Sequence, residues 1–96
     1  SREGVLLSAF GTIGSDPGQL RYPYGVRVAP DGNLLVAEYG NNRVQMFTPA
    51  GTSLWTWGSP GRQPGQLAIP WALAISRDGR VYVVDSGNNR IQVFRL

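Results

Sequence analysis

Apolar and polar positions alternate along this chain in short runs. Val26 and Val28 share one side of a run, with Arg27 between them; Val44 and Met46 oppose Arg43, Gln45 and Phe47 in another. That is the two-residue period of a half-buried strand. Two runs, Leu34-Leu35-Val36-Ala37 and Val81-Tyr82-Val83-Val84, are apolar on both faces, as a strand is when its sheet packs between two others. No stretch keeps a helical period over three turns. The runs are punctuated by Asp31-Gly32, Gly40-Asn41-Asn42, Pro49-Ala50-Gly51 and Asp78-Gly79, and Asp-Gly between apolar runs is a hairpin signal. The pattern predicts strands at about 25–29, 33–38, 43–48 and 52–57, then 72–76, 80–85 and 90–95. A long connection is expected at about 58–70.

The pattern occurs twice. Gly40-Asn41-Asn42-Arg43-Val44-Gln45-Met46-Phe47 returns as Gly87-Asn88-Asn89-Arg90-Ile91-Gln92-Val93-Phe94, an offset of 47 residues. The same offset pairs Gly18 with Gly65, Leu20 with Leu67, Pro23 with Pro70, and Asp31 with Asp78. It also carries Gly4, Leu7, Phe10 and Gly11 onto Gly51, Leu54, Trp57 and Gly58. Residues 1–96 therefore read as one domain of two units, about 1–47 and 48–96. A period of this size, in strand-forming sequence, is that of a four-stranded propeller blade. Unit two ends after its third strand. Residues 5–10, which align with the fourth strand of unit one, are left over at the other end.

These residues resemble the NHL repeat, a propeller blade named after an Asn-His-Leu signature. The matching phrases are Pro23-Tyr24-Gly25-Val26, the run from Asp31 to Glu38 and the run from Asn41 to Phe47. In unit two they are Pro70-Trp71-Ala72-Leu73, the run from Asp78 to Asp85 and the run from Asn88 to Phe94. The His position of the signature carries Asn42 and Asn89 here. The resemblance implies an all-β fold of two four-stranded NHL blades, part of a propeller that usually has six. Two blades cannot close a ring. The expectation is a homotrimer with N-terminal strand exchange, the "velcro" arrangement, in which residues 5–10 of one chain pair with 90–94 of the next. The interface strands would offer Val5, Leu6, Leu7 and Phe10 against Ile91, Val93 and Phe94. A dimer or tetramer would follow the same principle with another blade count.

Composition narrows the chemistry. There is no Cys and no His in 96 residues, so thiolate metal sites, disulfides and the usual neutral-pH general base are all missing. No phosphate-loop pattern and no nucleophile–base pair occurs. No cofactor, no metal and no catalysis is expected, and the six-bladed propeller enzymes built on His and acidic metal sites fit poorly. No apolar run is long enough to cross a membrane as a helix, and no signal peptide is visible. The first residue is Ser1 rather than Met, which points to an excised fragment or an engineered building block. All nine cationic residues are Arg, and the net charge is +3; Arg suits planar and stacked contacts.

Two groups of residues carry the functional expectations. Arg43 and Arg90 open the third strands, across a turn from Glu38 and Asp85. They are expected to form structural ion pairs that recur because the blade recurs. Tyr24 and Trp71 stand at equivalent places just before the innermost strands. With Arg21, Arg27 and Arg62 they form a candidate ligand face. The resemblance implies single-stranded RNA or a protein as its partner, since some NHL domains bind RNA on a basic propeller face. Arg21 and Arg27 become Ala68 and Ala74 in unit two, so any basic patch is uneven. Phe10 and Trp57 are expected to pack on the long connection, and Trp55 to be partly exposed.

Overall fold

The computed structural model describes residues 4–96. It contains two antiparallel sheets in chain order. Strands β1 (Pro23–Val28), β2 (Leu34–Glu38), β3 (Arg43–Phe47) and β4 (Ser53–Trp57) form the first, in that spatial order. Strands β5 (Pro70–Ile75), β6 (Arg80–Asp85) and β7 (Arg90–Arg95) form the second. Each sheet is a meander, as expected of strands joined by tight turns. The turn after β6 tightens into a short 3-10 segment, Ser86–Asn88, closed by Asn89 in the left-handed region.

The sheets face each other through β1 and β5 and make one core. Leu35, Ala37, Val44 and Met46 of the first sheet meet Leu67, Leu73, Val81 and Val83 around the second, and Trp55, Trp57 and Phe94 close its rim. Period two decides which residues these are: Leu35 and Ala37 share a pleat face, as do Val81 and Val83. Gly25 lets the inner strands touch. A Cβ there would sit 3.5 Å from Ala72 Cα.

One expectation changes. The inner strands begin about two residues earlier than the pattern predicts, so Tyr24 and Trp71 lie inside them. Both are the extra residue of a β-bulge, where the register skips between Pro23 and Gly25 and between Pro70 and Ala72. Phe10 and Trp57 each pack on the third-strand Phe of the blade that follows, Phe47 and Phe94. Residues 4–10 form no strand in the single chain; the pairing expected for them is with a second copy. Trp55 is half-buried, against Phe94.

Candidate functional site

The repeated corner is a clamp. Glu38 is fully buried, and Arg43 Nε donates to its Oε2 at 2.7 Å. The rest of the guanidinium reaches backwards: Nη1 donates to Ser15 O at 2.7 Å and Nη2 to Gln19 O at 2.8 Å. Gln45 joins from two residues along the strand. Its Nε2 donates to Glu38 Oε2 and Gln19 O, and its Oε1 accepts from Gly18 N and Ser53 Oγ. Asn41 Nδ2 ties Glu38 Oε1 to Gly14 O. No buried side-chain polar atom among the described residues lacks a partner. The network fastens the incoming connection, residues 14–19, to the sheet.

Unit two repeats it. Arg90 Nε donates to Asp85 Oδ2 at 2.7 Å, and its Nη2 to Gln63 O and Gln66 O. Gln92 Nε2 and Asn88 Nδ2 also donate to Asp85 Oδ2, while the Ala68 N–H donates to Oδ1. Burial pushes the Asp85 carboxyl up, but the donors from Ala68, Arg90, Asn88 and Gln92 outweigh it and hold the group below the ordinary carboxylate value. The second clamp is more open: the Arg90 side chain is 30% exposed against 10% for Arg43.

The connections dock in the same way. Phe10 lies on Phe47 at 5.1 Å, as Trp57 lies on Phe94 at 4.2 Å. Gly11 abuts Leu20 as Gly58 abuts Leu67. The parallel bridge Ile13–Leu20 matches Pro60–Leu67. The segment before unit one thus meets its blade just as the end of unit one meets unit two.

Asn42 and Asn89 are both left-handed, at φ near 50°, as a turn reading allows, but the reach of the Asn42 side chain is not visible in it. The Ile69 N–H donates to Asn42 Oδ1 at 2.8 Å, across the blade boundary. Ile69 and its counterpart Tyr22 share the same unusual positive φ, 54° and 48°. Among the described residues, the Tyr22 N–H and the Asn89 side chain have no hydrogen-bond partner.

Two faces stay open. On the second sheet Ile91 and Val93 are 57% and 51% exposed, whereas their counterparts Val44 and Met46 in the core are 0% and 5%. On the first sheet Val26 is 53% exposed against 3% for Leu73. Phe10, Leu20, Pro23, Tyr24, Val26 and Val36 line an apolar groove there. Val5, Leu6 and Leu7 are exposed.

Above the inner strands is an aromatic cluster. Tyr24 meets Trp71 at 4.9 Å and Tyr39 at 5.4 Å; Tyr22 meets Tyr39 edge-on at 6.1 Å. The bulges lift Tyr24 and Trp71 into it. Tyr22 and Tyr39 complete it, without a repeat signal to announce them. The Arg21 side chain lies against Gly40, beside Tyr39. The other two candidate cations stand apart: Arg27 Nη1 donates to Val26 O, and Arg62 is exposed in the connection, next to the Gly61 carbonyl that accepts from Asn88.

The NHL repeat family model matches residues 20–47 and 67–94, more than half of the chain. The chain belongs to the NHL-repeat family. Each matched segment runs from the bridge at the half-buried Leu20 or the buried Leu67, through the inner strand and the clamp, to the Phe on which the preceding segment rests. Similar curated proteins include E3 ubiquitin-protein ligase TRIM71 of Rattus norvegicus, 41% identical over 49 residues, 51% of this chain and 6% of that protein. Protein wech of Drosophila melanogaster is 42% identical over 48 residues, half of this chain and 6% of its own length. E3 ubiquitin-protein ligase TRIM32 of Homo sapiens is 40% identical over 47 residues, 49% of this chain and 7% of that protein. The chain thus spans only a small fraction of these relatives' length. Among the described residues no cluster of acidic side chains is arranged to hold a metal ion, and no helix is long and apolar enough to cross a membrane.

Proposed function

We propose that this chain is a non-catalytic structural and interaction module, a two-blade NHL unit that assembles with copies of itself into a closed propeller. Three chains of two blades make the six-bladed ring. Residues 5–10 of each chain add to the free edge of β7 in the next and complete its blade.

The observation that carries this reading is the placement of Phe10. It rests on Phe47, and its counterpart Trp57, at the end of β4, rests on Phe94; this supports reading residues 5–10 as the outer strand of a preceding blade. The remaining open groups support the same partner. Ile91 and Val93 repeat a face that the chain buries internally, and Val26 repeats the face that covers it. Asn89 and Tyr22 are the two halves of the Asn42–Ile69 contact, one at each end of the chain. A closed ring lets each copy satisfy both ends at once.

The register follows from β3 and β4, where Met46 stands opposite Trp55. The equivalent pair between chains is Val93 opposite Ser8. Directly opposed strand residues are within disulfide reach. Ser8→Cys and Val93→Cys chains, each made separately, should form a covalent heterodimer when mixed and oxidised, and little homodimer. Equal crosslinking of each variant with itself, or none, overturns the register.

A second reading concerns the aromatic cluster. Tyr24, Trp71 and Arg21 offer stacking faces and a cation of the kind that single-stranded RNA uses. In that reading, binding to single-stranded RNA falls steeply with salt and is lost in Trp71→Ala. Absence of binding at low salt removes it.

A further inference from the structure

Arg27 has no role in the clamps or in the aromatic cluster. It lies on β1, which pairs with β2 on one side only. The Ala29 N–H donates to Asn33 O at 2.7 Å. The alternation of an antiparallel ladder then turns the Arg27 main chain toward β2 and the Val26 carbonyl toward the free edge. Arg27 Nη1 donates to that carbonyl at 3.1 Å. The guanidinium therefore lies along the free inner edge of the blade. It is exposed, and none of the ion pairs among the described residues uses it. Its counterpart in unit two, Ala74, carries no charge.

This placement has a consequence in the three-chain ring, on which the inference rests. The inner strands of neighbouring blades touch at Gly25 and Ala72. Six strands evenly spaced about an axis stand as far from the axis as from each other, so the channel is narrow and the free edges of β1 face it. Three Arg27 side chains, alternating with three Ala74, then form a ring of positive charge. Like charges held close in a partly desolvated channel repel strongly. A guanidinium ring is also a ready donor set for an oxyanion, because each fork can hold two oxygen atoms. We propose that the assembled ring binds one tetrahedral oxyanion, phosphate or sulfate, on its threefold axis between the three Arg27 side chains.

The test uses the assembled protein in chloride buffer, with inorganic phosphate added at low millimolar concentration and constant ionic strength. Equilibrium dialysis should find one phosphate per three chains, and the thermal midpoint should rise. Arg27→Ala should keep the three-chain mass, bind phosphate at least tenfold more weakly and lose the thermal response. In chloride alone it should melt no earlier than the parent, because the repulsion is gone. Arg27→Gln should behave in the same way. A response equal in parent and variant, or one phosphate per chain, marks an adventitious ion only and overturns the site. Light scattering on the same samples separates the two levels: a three-chain ring without phosphate binding overturns the anion site alone, whereas a monomer overturns the ring and the site together.

Discussion

Glu38 and Asp85 are carboxylates with no exposed surface, and each is held by more than its arginine. Removing one partner of a buried pair leaves the other charge uncompensated, at a cost of roughly 3–5 kcal/mol. Glu38→Ala should lose about that much in urea unfolding at fixed protein concentration, and Asp31→Ala, in an exposed turn, well under half of it. The Asp85 carboxyl is held below its ordinary value of 3.8 in the folded chain. Its stabilising contribution is therefore complete above that value and is lost as pH falls through it toward the lower folded pKa. Melting scans should show stability dropping below about pH 4, and Asp85→Asn should flatten that drop. The spacing of Arg and carboxylate makes the ion pairs legible in the sequence. The clamp is not legible there, because Gln45 and Arg43 close it on carbonyls more than twenty positions away. Asn42 and Asn89 read as turn formers for the same reason: Asn tolerates a positive φ locally, and nothing local shows that its amide reaches the next blade.

At the scale of elements, β2, β3, β4, β6 and β7 lie within a residue or so of the expected bounds, because period-two patterning and Gly or Asn turns mark both ends. The inner strands are less legible at their starts. A proline opens each, and the bulge at Tyr24 and Trp71 breaks the alternation that a pattern reading follows. Residues 5–10 have strand-like sequence but no strand in the single chain, since a strand is a property of a pair. In the proposed ring they are paired, and adjacent N–H groups of a strand point in opposite directions. Of Ser8→Pro and Ala9→Pro, at least one removes a donor to β7 and should shift the protein toward monomer in size-exclusion chromatography. Unchanged elution of both variants would contradict the pairing. Asn89→Ala should weaken assembly by about 1 kcal/mol, the worth of one hydrogen bond; in a dilution series its dissociation midpoint moves up several-fold. Asn42→Ala acts within the chain and should lower its stability instead.

On the scale of the whole molecule, two blades leave two open faces, and each repeats a face that the chain buries at its own centre. The repeat alone makes this visible, because the 47-residue offset carries Val26 onto Leu73 and Val44 and Met46 onto Ile91 and Val93. Ring size is not visible in that way, since the angle between blades depends on the packing of Leu35, Val44 and Met46 against Leu73, Val81 and Val83. What the proposed ring would bind lies further still from the sequence: the aromatic cluster draws half its members from positions with no repeat signature. The mass of the protein in solution tests the ring most directly. Multi-angle light scattering at micromolar concentration should give three times the chain mass of 10.4 kDa. A dimer or tetramer would keep the strand exchange and change the number of blades. A clean monomer of 10.4 kDa would contradict it.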